Sequence, residues 1–272
     1  MFTYLIVWVQ VLTEMLPISS STHVELARRV WEYFNGTLAP LIPEGFDYLL
    51  HIPLLVVLPL FFRKGWWPLT SLLFKRIFLR QRLHVWSTRA LVQMMIKIVG
   101  IIFISGVCAA GMQHLLKHLA VEGLRPLGLV VTGLFLVAAG RVRFSHFFSN
   151  SSMILGVMGA AQAMALLPGI SRMGITVAVG LLMGLSARRA MQFSFALQYP
   201  LVMAAVLFRG LPWVLSVEAR GWMTLTQVGN LIAAGVVSYG VLKAAEYLFA
   251  RGRSWWFGCY LLVLGIVVFL SR

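Results

Sequence analysis

Charge is what this sequence lacks most. Only 11% of its 272 residues are charged and just 8 are Asp or Glu, where a soluble domain carries about 25% charged residues. That scarcity excludes a water-soluble fold of this size. Cysteine is also scarce: Cys108 and Cys259 both lie in apolar stretches, which excludes a disulfide framework or Cys-rich metal site and leaves packing as their expected role. The segment from Met1 to Val9 has no basic leader region, so it reads as part of the mature fold rather than a secretory signal. A net charge of +15 could suit nucleic acid, but the chain has too few polar residues to set a solvated basic face beside a core. What is present in abundance is apolar surface, 60% of the residues with a mean hydropathy of +0.88. The expected protein is an all-α polytopic inner-membrane protein, its basic loops meeting anionic lipid on the cytoplasmic side.

A bilayer-crossing helix needs about 17–25 mainly apolar residues. Six stretches meet or approach that length, 46–62, 91–111, 127–140, 193–212, 226–249 and 255–270. Two further apolar regions, 1–34 and 151–186, are broken midway by polar knots, Leu16 to His23 and Leu167 to Gly174. Irregular backbone at membrane depth needs protein or a wet cavity around it, so each is expected to be a re-entrant helix-loop-helix hairpin. With 46–62 leaving toward the cytoplasm, thirteen Lys and Arg fall in the cytoplasmic loops 63–90, 141–150, 187–192 and 250–254, and seven on the other side.

The two halves also match. Phe46 to Leu54 aligns with Phe193 to Leu201 at four of nine positions, and Gln10 and Gln162 precede Leu16-Pro17 and Leu167-Pro168 in nearly the same register. The chain therefore reads as one domain, 1–272, made of an inverted repeat of about 1–140 and 151–272. Such architecture builds its site at the membrane midplane.

Gln10 and Glu14 are four residues apart and share a helix face. An ionised group at depth is a functional candidate by default; the alternative is a carboxylate solvated near the interface. Ser19, Ser20, Ser21 and Thr22 stand before a helical pattern, with Thr22 and Glu25 spaced as a capping box. Hydroxyls, free N–H groups and the positive helix end together suit a phosphate, though an ordinary N-cap would use the same residues. His23 follows in the first turn, where an imidazole could face that ligand or simply pack. In the second knot, Gly169 and Gly174 flank Ser171-Arg172, placing a guanidinium suited to phosphate at another helix start, with Thr176 two residues beyond Gly174. Arg172 could instead serve as counter-ion to Glu14 or snorkel to the surface. Asp47, Gln162 and Gln192 border these regions as supporting hydrogen-bonding groups. Residues 63–89, with Trp66, Trp67 and Trp86, read as an interfacial amphipathic segment.

Glu14-Met15-Leu16-Pro17-Ile18-Ser19-Ser20-Ser21-Thr22-His23 resembles the signature E-x-L-P-[VI]-S-S-[ST]-x-H of the bacitracin-resistance type undecaprenyl-pyrophosphate phosphatases. Pro168 to Gly174 resembles that family's second signature, P-G-x-S-R-S-G. The resemblance implies six spanning helices plus two re-entrant hairpins in inverted repeat, often dimeric. It also implies hydrolysis of a polyprenyl pyrophosphate to the monophosphate carrier of peptidoglycan synthesis, assisted by Mg²⁺ or Ca²⁺. Carried over by position, Glu14 handles metal or protons, Ser20 or His23 is nucleophile or acid/base, and Ser19 and Ser21 hold phosphates. Arg172 binds the pyrophosphate, while Gln10, Gly169, Ser171 and Thr176 complete the substrate site. The chain departs from the pattern at Thr22 (usually Gly), Met173 (usually Ser) and Gln192 (usually Glu). The reading from a different class is a polyprenyl-phosphate transporter or flippase, or a non-catalytic lipid-phosphate binder, because broken helices in inverted repeat are also transporter architecture.

Overall fold

The computed structural model describes residues 1–64, 121–141 and 151–271, with a few helical positions between 71 and 114. The expected span 91–111, the amphipathic segment with Trp66, Trp67 and Trp86, and Cys108 lie outside the described residues or almost entirely so. All regular structure among the described residues is helical. The main helices are α1 (Phe2–Glu14), α2 (Ser20–Asn35), α3 (Glu44–Leu49), α4 (Ile52–Phe61), α5 (Arg125–Arg141), α6 (Ser151–Ala163), α7 (Arg172–Leu182), α8 (Ala187–Ala205), α9 (Leu225–Ala250) and α10 (Ser254–Leu270).

Among the described residues, three helical runs are long and apolar enough to cross a bilayer, Glu44–Phe61, Ala187–Val214 and Leu225–Ala250. Shorter apolar helices, among them α1, α7 and α10, stand beside them. The outward faces of α9 and α10 carry exposed Ile232, Val236, Val263, Ile266 and Phe269, a surface suited to hydrocarbon rather than water. Cys259 belongs to that exposed set, so its expected packing role is corrected: it sits on the outer face of α10.

Both polar knots are breaks between helices. α1 stops at Glu14 and α2 begins at Ser20; α6 and the 3-10 turn Met164–Leu166 lead to α7, which begins at Arg172. The boundary differs from the capping-box expectation. The N-cap of α2 is Ser19, in extended backbone, so Thr22 already lies in the first turn, where its hydroxyl donates to Ser19 Oγ at 3.0 Å. Glu25 faces Arg29 instead, at 3.2 Å. The reason is geometric, because Ser19 is the last residue that Pro17 and Ile18 leave outside helical φ/ψ. The serine run thus forms the helix start itself.

Glycine permits two close approaches around the second break, to the start of α5 and to the first break. Gly169 has a left-handed φ of +88°, and a Cβ there would collide with the Arg125 carbonyl. At Gly174 a Cβ would meet Thr132 Cγ2 at 2.7 Å and the Pro17 carbonyl at 2.8 Å. Only glycine lets α7 sit this close to the first break. Beneath the breaks, Met15, Leu54, Leu58, Phe62, Leu129, Met173, Phe195 and Leu242 form one buried cluster that joins α1, α4, α5, α7, α8 and α9.

Candidate active site

Where the two breaks meet lies a pocket of about 270 Å³. Its walls include Gln10 and Glu14 from α1, Ser19, Ser20 and Ser21 from the start of α2, Ser171 and Arg172 from the start of α7, and Asp47, His51 and Gln198. Two helix N-termini, with N-cap residues Ser19 and Ser171, therefore open on one cavity, and their free N–H groups and dipoles favour an anion there.

Glu14 organises the chemistry. Ser20 Oγ donates to Glu14 Oε2 at 2.9 Å, and Gln198 Nε2 donates to Glu14 Oε1 at 2.6 Å. This sets a hydroxyl against a carboxylate that a third group orients, an arrangement of the kind that can activate a nucleophile. Arg172 lines the same pocket, and its guanidinium has no hydrogen-bonding or ionic partner among the described residues. It is therefore no counter-ion to Glu14.

The α7 start is built by its own cap and by α5. Ser171 Oγ accepts from the Gly174 N–H at 3.1 Å, and the Ser171 N–H donates to Thr132 Oγ1 at 3.1 Å. These bonds fix the backbone from which Arg172 projects.

Three residues expected at the site are not on the pocket wall. Gly169 shapes the turn behind it. Thr176 is fully buried, donates to the Arg172 carbonyl at 2.8 Å and lies 2.6 Å from Ser194 Oγ, so it braces α7 against α8. His23 has both nitrogens committed. A carbonyl can only accept, so Nδ1–H donates to the Ser19 oxygen at 2.6 Å, and Nε2 accepts from the Tyr260 hydroxyl at 2.7 Å. Gln162, the counterpart of Gln10, is buried with neither amide atom hydrogen-bonded. Gln192 lies on α8 and is not part of the pocket wall.

Comparison with known proteins identifies the family. The model of the family described as bacitracin resistance protein BacA matches residues 4–267. The chain belongs to that family. It is 29% identical to the undecaprenyl-diphosphatase of Treponema denticola over 95% of this chain and 92% of that protein. It is 32% identical to the undecaprenyl-diphosphatase of Gemmatimonas aurantiaca over 97% and 94%, and 31% identical to that of Hahella chejuensis over 89% and 85%. In this BacA-family chain, Glu14, Ser19, Ser20 and Ser21 of the first motif and Ser171 and Arg172 of the second meet in the pocket.

Two pocket residues, His51 and Gln198, were passed over by motif reasoning, and so was Thr132 behind the wall. A signal for the first two was present: they occupy equivalent positions in the matched segments 46–54 and 193–201. Thr132 left no signal, being one hydroxyl in an apolar helix.

The donor set also bears on a metal. Among the described residues no three His, Cys, Asp or Glu side chains gather to cage an ion. The pocket does offer the Glu14 carboxylate beside hydroxyl oxygens, which fits a hard cation held jointly by one or two carboxylates and the phosphates of a ligand.

Proposed function

We propose that this chain is an undecaprenyl-diphosphatase of the bacterial inner membrane, hydrolysing undecaprenyl pyrophosphate to undecaprenyl phosphate and inorganic phosphate and so recycling the lipid carrier of peptidoglycan synthesis. The observation that carries the reading is the Ser20–Glu14 hydrogen bond on the wall of a pocket that also holds the unpartnered Arg172. Ser20 is the nucleophile. As its Oγ bonds to the terminal phosphorus, its proton passes to Glu14, and the bond from that phosphorus to the bridging oxygen breaks. The electron pair leaves with undecaprenyl phosphate. Water then attacks the phosphoseryl phosphorus, the P–Oγ bond breaks, Ser20 regains its proton from Glu14, and inorganic phosphate departs.

Phosphoryl transfer asks a protein mainly for positioning and for stabilisation of charge on the equatorial oxygens. Arg172, the Ser19 and Ser21 hydroxyls and the two helix N-termini meet that demand. A divalent cation, Mg²⁺ or Ca²⁺, would be held by Glu14 together with the substrate phosphates and would supply further charge neutralisation there. An apolar groove between α4 and α9, lined by Ile52, Val56, Leu60, Ile232 and Val236, has the surface chemistry to seat the polyprenyl tail.

The same reading places the whole chain in one membrane domain, with six spanning helices, two re-entrant hairpins and inverted halves of about 1–140 and 151–272. It is supported by the paired helix breaks meeting in one pocket. The test is phosphate release from undecaprenyl pyrophosphate by the purified protein in detergent, with and without Mg²⁺ or Ca²⁺. Lipid binding without any phosphate release would refute hydrolysis in favour of transport or binding.

A further inference from the structure

Gln198 and His51 hold α1 from the two halves of the chain in the same way. They are equivalent positions of the internal match, and both line the pocket. Each reaches one of the two polar residues that α1 turns inward. Gln198 Nε2 contacts Glu14 at 2.6 Å, and His51 Nε2 lies 3.4 Å from Gln10 Nε2.

The roles of the atoms are fixed by their partners. His51 Nδ1 lies 3.1 Å from the Asp47 carbonyl, which can only accept, so the proton is on Nδ1 and Nε2 accepts from the Gln10 amide. The break before α4 makes this contact available, because the His51 backbone N–H donates to the Tyr48 carbonyl and leaves the side chain to reach Asp47. A carboxylate likewise only accepts, so the Gln198 amide must turn its nitrogen to Glu14. Its oxygen is then left buried without a partner, in a residue that is 1% exposed.

An orphaned buried oxygen is unfavourable, and a methionine or leucine would fill the space without it. The amide's contribution is therefore the one bond made by its nitrogen. That bond fixes the direction of the carboxylate whose other oxygen accepts from Ser20.

We propose that Gln198 and His51 are a matched pair of positioning residues, Gln198 acting through Glu14 and His51 through Gln10, that aim the polar face of α1 at the Ser20 hydroxyl. This rests on the phosphatase reading and assigns which residues outside its motifs set the turnover rate.

The experiment compares phosphate release from undecaprenyl pyrophosphate and the thermal midpoint in detergent for the wild type, Gln198→Met, Gln198→His and His51→Leu. Gln198→Met is expected to lower kcat roughly 10- to 100-fold, the worth of a hydrogen bond to a charged group. KM should stay within about twofold and the midpoint should hold or rise as the orphaned oxygen disappears. Gln198→His restores an N–H donor at the position where the other half already uses histidine, and is expected to recover part of kcat. His51→Leu is expected to lower kcat less, since Gln10 is not the base. Wild-type kcat in Gln198→Met, or a loss that tracks a lower midpoint or a higher KM, would overturn the Gln198 role. Wild-type kcat in His51→Leu would overturn the pairing. A wild-type protein that releases no phosphate would instead overturn the phosphatase reading and this inference with it.

Discussion

Replacing Arg172 separates catalysis from folding more cleanly than any other change at this site. Its guanidinium has no partner among the described residues, so Arg172→Ala breaks no ion pair and orphans no neighbour. What it removes is a planar pair of charge-assisted hydrogen bonds to phosphate oxygens. At about 1.5–3 kcal/mol each, their loss is worth about 3–6 kcal/mol, or roughly 10²- to 10⁴-fold in kcat/KM. The thermal midpoint should stay unchanged or rise slightly, because a half-buried cation between two positive helix ends is relieved. Arg172→Lys keeps the charge but not the fork, and should fall between alanine and wild type. Phosphate release and thermal unfolding of the same detergent preparations read both quantities. Wild-type kcat/KM in Arg172→Ala would refute the role, and a large drop in midpoint would show that the side chain has a structural partner.

Ser20→Ala should abolish turnover while the protein still binds undecaprenyl pyrophosphate, measured by lipid co-purification; residual turnover near wild type would move the nucleophile elsewhere. Thr132→Val keeps the shape but leaves the Ser171 N–H unpaired in a buried site, so it should destabilise by about 1–3 kcal/mol while Thr132→Ser does not, as read by thermal unfolding. Glu32 accepts from the Ala39 N–H and faces Arg28, and these contacts hold its carboxyl below the ordinary carboxylate range. A depressed folded value means that this stabilisation is present above the ordinary range and fades as pH falls through the lower one. The gap in thermal midpoint between wild type and Glu32→Gln should accordingly close below about pH 4.

The sequence by itself carried a good deal of this. Scarce charge and long apolar runs dictated helices in a membrane, because a bilayer leaves backbone polar groups no other partners. The knots at Pro17 and Pro168 marked where those helices break. Spacing and motif together singled out Glu14, Ser20 and Arg172, residues whose chemistry is local enough to read from a short segment.

Tertiary packing decided the rest. His23 stands in the motif like its neighbours, yet its second nitrogen is taken by Tyr260, more than two hundred residues away. Thr176 looked available until Ser194 closed over it. Gln198 and His51 became site residues because α8 and the break before α4 carry them to α1, and Thr132 became the anchor of Ser171 because Gly174 lets α7 approach α5 so closely. A hydrogen bond is set by the direction and distance of two groups, and for groups far apart in the chain those are fixed only once the helices have packed.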